Sequence, residues 1–128
     1  MIVGVGVDVI EVERLQRVLD RHGDRFLRHV YCEEERRRAP AVRRAAAVYY
    51  AGRWAAKEAV AKALGTGIGA ACGWTEIRVG RRGNGKPDVT LAGAAARTAA
   101  ALGIDSIHVS ISHAGRLACA SAVAERQP

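Results

Sequence analysis

The stretch Ala45-Ala46-Ala47-Val48-Tyr49-Tyr50-Ala51-Gly52-Arg53-Trp54-Ala55-Ala56-Lys57-Glu58-Ala59-Val60-Ala61-Lys62-Ala63-Leu64 decides the architecture. It is rich in alanine, holds no proline, and stops before Gly65-Thr66-Gly67-Ile68-Gly69, which predicts one long helix over 45–64. Downstream, Ile77 and Val79 alternate with Glu76 and Arg78. Asn84-Gly85 is a turn signal, and Val89 with Leu91 resumes the alternation, so a hairpin follows the helix. Ala94–Leu102 predicts a short helix ended by Gly103. Ile107, Val109 and Ile111 then alternate with His108, Ser110 and Ser112 as a strand, His113–Arg116 turns, and Leu117–Val123 closes the chain as another strand.

Upstream, residues 2–9 also alternate. Val3, Val5, Val7 and Val9 share one strand face, expected to meet a core, while Gly4, Gly6 and Asp8 share the other. A helix from about Val9 to His22 follows, and a second helical region spans Arg25 to about Arg38. The charged stretch Glu33–Arg44 reads as a loop. Strands grouped late, without regular strand-helix alternation, predict an α+β fold: a mainly antiparallel sheet packed on the long helix.

The 128 residues fit a single domain spanning 1–128. With 49% apolar residues but only 5% aromatic, the core should be thin and built on alanine. An oligomer interface could add to its stability. Twenty Lys+Arg against 13 Asp+Glu give a net charge of +7, which asks for an acidic partner without choosing one. Cys32, Cys72 and Cys119 lack the spacing of a disulfide framework or zinc site. The chain begins Met1-Ile2-Val3-Gly4 without a leader pattern, and no apolar run approaches membrane-spanning length. A cytoplasmic protein with reduced thiols is expected, one with no membrane partner.

Several residues carry possible chemistry. Trp54, Glu58 and Lys62 stand four apart and share a helix face, with Arg53 and Lys57 as an adjacent basic row. Spacing alone favours a surface ion pair between Glu58 and Lys62. Asp8-Val9-Ile10-Glu11 matches a capping box, yet Asp8 also ends a glycine-lined strand face that suits a bound cation. If Asp8 and Glu58 converge, they offer the few hard oxygens that magnesium takes alongside water and phosphate. Arg53, Lys57 and Lys62 would then supply positive charge for the phosphates. Ser110-Ile111-Ser112-His113 lacks a nucleophile elbow, leaving His113 as a phosphate contact. Gly65–Gly69 lacks the Gly-Lys-Ser/Thr ending of a P-loop. Arg14, Arg17 and Arg21 line the first helix beside Leu15 and Val18, as either a solvated face or a dock for an acidic helix.

Taken together, Gly4-Val5-Gly6-Val7-Asp8-Val9, Arg53-Trp54-Ala55-Ala56-Lys57-Glu58-Ala59 through Lys62-Ala63-Leu64-Gly65, and His108-Val109-Ser110-Ile111-Ser112-His113 resemble the holo-acyl-carrier-protein synthase family, the short-chain phosphopantetheinyl transferases. Gly85-Lys86-Pro87, and Phe26 with Arg28 before an acidic cluster, add to the likeness, whereas residues 36–47 have no counterpart in it. The resemblance implies transfer of 4′-phosphopantetheine from coenzyme A to a serine of an apo acyl carrier protein, releasing adenosine 3′,5′-bisphosphate in the service of fatty acid biosynthesis. Asp8 and Glu58 would bind magnesium, and Lys62 would neutralise developing charge. Glu58 would also take the serine proton. Arg53, Lys86, Pro87 and His113 would hold the nucleotide, and Arg14 and Arg21 would meet the acidic carrier. Some relatives carry an acidic residue after Ser-x-Ser-His where this chain has Ala114. The resemblance also implies a homotrimer with active sites between subunits.

Two rivals come from other classes. A basic nucleic-acid-binding module would explain the charge, but aromatics for stacking are few and no recognition motif stands out. An inactive relative would bind coenzyme A without transfer.

Overall fold

In the computed structural model, which describes residues 1–128, a strand β1 (Ile2–Glu11) leads into three helices, α1 (Val12–His22), α2 (Asp24–Val30) and α3 (Glu33–Arg37). The long helix α4 (Arg43–Ala63) follows, then a 3-10 turn (Trp74–Glu76) and the hairpin β2 (Ile77–Arg81) and β3 (Pro87–Leu91). Helix α5 (Gly93–Ala101) precedes β4 (Ser106–Ala114) and β5 (Leu117–Glu125). Strands β1, β5 and β4 form an antiparallel sheet in that order, so β1 and β4 are its edges, and β2 pairs with β3 separately. This is the α+β arrangement the sequence predicts. No helix is long and apolar enough to cross a membrane.

The sheet lies against α4, and the contact is made by the smallest side chains. A Cβ placed on Gly4 would fall 1.9 Å from the Ala63 carbonyl oxygen, and one on Gly6 the same distance from that of Ala59. Helix and strand therefore touch backbone to backbone, as only glycine permits. Ala118, Ala120, Ala122 and Ala124 of β5 bury beside them. The faces of β1 are thus the reverse of the expectation. The glycine face meets α4, while Val5, Val7 and Val9 are 61–64% exposed. Valine is larger and more apolar, but it would hold the helix too far off.

Three boundaries also differ. The first helix starts at Val12, because β1 continues to Glu11 in register with Leu117. The last hairpin stays paired through Ala114, so its turn is shorter than His113–Arg116. Part of the predicted loop 33–44 is helix α3, whose i,i+4 pairs Glu33–Arg37 (2.7 Å) and Glu34–Arg38 (3.0 Å) face solvent.

Candidate active site

Between Ala51 and Leu64 every residue is buried except Trp54, Glu58 and Lys62. The helical repeat of four places these three in one stripe, and the stripe borders β1. Asp8 stands on the helix-facing side of β1, two residues beyond Gly6, where backbone contact brings the strand closest to α4. Lys62 donates from Nζ to Asp8 Oδ1 at 3.1 Å and to the Val7 carbonyl at 3.0 Å. Lys62 is therefore paired across the strand with Asp8, and the surface pair with Glu58 does not form.

The capping reading of Asp8 also falls. Helix α1 is entered from Glu11, without a side-chain cap, and Asp8 lies three residues earlier within the strand. Asp8 and Glu58 instead line one cavity of about 260 Å³, together with Arg14 and the apolar walls Leu15, Val18, Phe26 and Trp54. Burial pushes the Glu58 carboxyl above its usual pKa, the negative charge of Asp8 pushes it further, and Lys62 opposes both. Trp54 stacks on Phe26 at 5.9 Å and packs at a tilt against Trp74 at 4.2 Å between ring centres. Two carboxylates and a guanidinium thus converge on one partly desolvated space, with the Lys62 ammonium bonded to Asp8. No third histidine, cysteine or acidic residue joins them to form a protein-only metal cage. That donor set suits a hard cation that completes its shell with water and phosphate.

A family model described as the 4′-phosphopantetheinyl transferase superfamily matches residues 4–121. The chain belongs to that superfamily. A holo-[acyl-carrier-protein] synthase of Koribacter versatilis is 41% identical over 129 residues, covering 98% of this chain and 99% of its own. The crystal structure of holo-[acyl-carrier-protein] synthase from Neisseria meningitidis superposes with a TM-score of 0.89 at 32% identity, covering 98% and 100%. A holo-(acyl-carrier-protein) synthase from Bacillus anthracis, solved in complex with coenzyme A (3′,5′-ADP), gives 0.80 at 35% identity, covering 99% of both chains. Such membership makes the chain an enzyme, a transferase of the holo-[acyl-carrier-protein] synthase kind.

The other residues singled out in this phosphopantetheinyl transferase lie elsewhere. Arg53 is 5% exposed, its guanidinium 4.0 Å over the Tyr49 ring, and its buried Nε has no hydrogen-bond partner. Burial draws its pKa below the usual value, against an opposing pull from Tyr49, yet a guanidinium stays charged at neutral pH. Lys86 is exposed in the β2–β3 turn, where Gly85 takes φ 84°, and Pro87 begins β3. His113 is exposed on β4, level with Ala118 and, beyond it, Ile10 of β1, two strand spacings or roughly 10 Å across the sheet. None of these four residues lines the Asp8–Glu58 cavity. Arg14 and Arg21 are both exposed on α1, and Arg21 lines a basic groove with Arg14, Arg17 and His22.

Lys57 does not join the phosphate-facing charge that its helix position predicts. It is fully buried and cannot offer charge to a phosphate. Its Nζ donates to Glu35 Oε1 at 2.8 Å and to the carbonyls of Trp74 at 2.9 Å and Ile77 at 2.6 Å. Glu35 carries no sequence signal of this role, because it sits in a run of charges that reads as solvated.

Proposed function

We propose that the chain transfers 4′-phosphopantetheine from coenzyme A to a serine hydroxyl of an apo acyl carrier protein, with magnesium, and releases adenosine 3′,5′-bisphosphate. The observation that carries this reading is the convergence of Asp8 and Glu58 beside Lys62 on one cavity. Magnesium held by Asp8 and Glu58 would neutralise the pyrophosphate of the substrate. Phosphoryl transfer depends on positioning and charge stabilisation. Lys62, exposed and already directed at Asp8, would steady charge on the phosphoryl oxygens and the departing bisphosphate. Glu58, with its raised pKa, is the group suited to accept the serine proton. Ala114 leaves no acid after Ser-x-Ser-His to compete for that role.

The nucleotide end falls to Arg53, Lys86, Pro87 and His113. Arg53 would contribute there through the positive charge of its guanidinium. Lys86 and His113 stand apart from the Asp8 cavity, so we infer that a neighbouring copy supplies them in a homotrimer. The uncovered valines of β1, with Leu117 at 47% exposure, support such an interface. Each would contribute roughly 1.5–3 kcal/mol on full burial. The exposed Arg14 and Arg21 would receive an acidic helix of the carrier. Fatty acid synthesis in the cytoplasm is the setting this chemistry fits.

Intact-mass spectrometry of an apo carrier incubated with the protein, coenzyme A and magnesium tests the reading. One phosphopantetheine should be added, and only when magnesium is present. No mass shift with several carriers, accompanied by salt-sensitive binding of DNA or RNA, would instead favour a nucleic-acid-binding module.

A further inference from the structure

The buried side of α4 holds an ionic cluster that the proposed chemistry leaves unused. All three protons of the Lys57 ammonium have acceptors: Glu35 Oε1 and the carbonyls of Trp74 and Ile77. Glu35, 2% exposed, also accepts the backbone N–H groups of Cys32 and Val79, each at 2.8 Å. One lysine and one carboxylate thereby tie together α3, α4, the 3-10 turn and β2. A buried ion pair is a weak source of net stability compared with apolar packing of the same volume, so stability alone accounts for it poorly.

Two physical routes lead from this cluster to the site. Glu58 is the next residue, about 100° further round the helix. Three fixed acceptors resist rotation of α4, since losing one would leave a buried ammonium proton unpaired. The second route runs through Trp74. Its carbonyl receives Lys57, while its ring packs against Trp54, a wall of the Asp8–Glu58 cavity.

We propose that Lys57 and Glu35 are positioning residues for the transfer reaction, holding Glu58 and the Trp54 wall in the orientation that the reaction needs. The activity readout rests on the function proposed above, whereas the spectroscopic readout does not. Trp54 and Trp74 are the two tryptophans of the chain, so near-ultraviolet circular dichroism reports their contact directly.

The decisive variant is Glu35→Gln/Lys57→Met, which removes both charges at similar volume. Its melting temperature should fall only modestly, because no buried charge is left unpaired. At saturating coenzyme A and carrier, kcat should fall about tenfold to a hundredfold, the range that small misplacement costs. KM for coenzyme A should change little, and the near-ultraviolet signal should weaken with the far-ultraviolet spectrum intact. A folded double variant with unaltered kcat and an unaltered tryptophan signal would overturn the proposal. If the double variant does not fold, Glu35→Asp keeps the charge but shortens its reach. Lower kcat in that folded variant supports the proposal, and unaltered kcat and dichroism overturn it. Should the unaltered protein modify no carrier, the proposed function fails. The dichroism of the variants then decides the positioning claim alone.

Discussion

The two lysines of α4 stand five residues apart in the same helix and have opposite surroundings. Lys57 is sealed among three oxygen acceptors, whereas the side chain of Lys62 is 48% exposed and bonds to Asp8 across the strand. One side of the helix is therefore committed to holding neighbouring elements, and the other to presenting charge. The difference teaches that residue type does not assign function here. What separates the two is whether the ammonium's hydrogen bonds are closed within the fold or open to an incoming group.

The sharpest break in that comparison is loss of the carboxylates on the open side. Asp8→Ala and Glu58→Ala should each lower transfer by about a thousandfold or more while the protein stays folded. A carrier mass assay with melting curves checks both, and surviving activity in a folded Asp8→Ala protein would return Asp8 to a structural role. On the closed side the loss should appear as stability. Glu35→Ala strands the buried Lys57 charge and should cost roughly 3–5 kcal/mol in denaturant unfolding. Lys62→Ala sharpens the contrast further. It should lower kcat about a hundredfold yet cost less than about 1 kcal/mol of stability, because its ion pair is half open to water.

The smallest effect runs in the opposite direction. Burial and the Asp8 charge raise the Glu58 pKa, so the folded protein holds that proton more tightly than the unfolded chain does. The stability Glu58 contributes is complete below its unfolded pKa, about 4.3, and is lost as pH rises through the higher folded value. Glu58→Gln removes that loss. It should melt slightly higher than the unaltered protein near neutral pH, with the gap closing toward about pH 4. An equal gap at both pH values would mean the carboxyl is not strained by its surroundings.

How much of this was legible depended on sequence distance. The central helix and the sheet alternation were readable because both are local periodicities. The two faces of β1 were readable as faces but assigned the wrong way round. The usual rule sends the larger apolar residue inward, and here glycine wins because α4 approaches to backbone contact. Asp8 with Lys62, 54 residues apart, could not be paired from spacing. Residue patterns left Asp8 between a cap and a cation ligand, and only the family resemblance chose. Glu35 gave no signal, since the charged stretch Glu33–Arg44 reads as a loop and its buried partner lies 22 residues away.

The contact of Gly4 and Gly6 with the carbonyls of Ala63 and Ala59 has a consequence for how far such a sequence can drift. Asp8 is two residues from Gly6, and Glu58 adjoins Ala59, so the gap between the two carboxylates is gauged by main-chain atoms that every amino acid carries. The fold as a whole superposes on the Neisseria meningitidis structure at a TM-score of 0.89 with 32% identity. The tolerance ends at the gauge itself, where a single added methyl group would move one carboxylate away from the other.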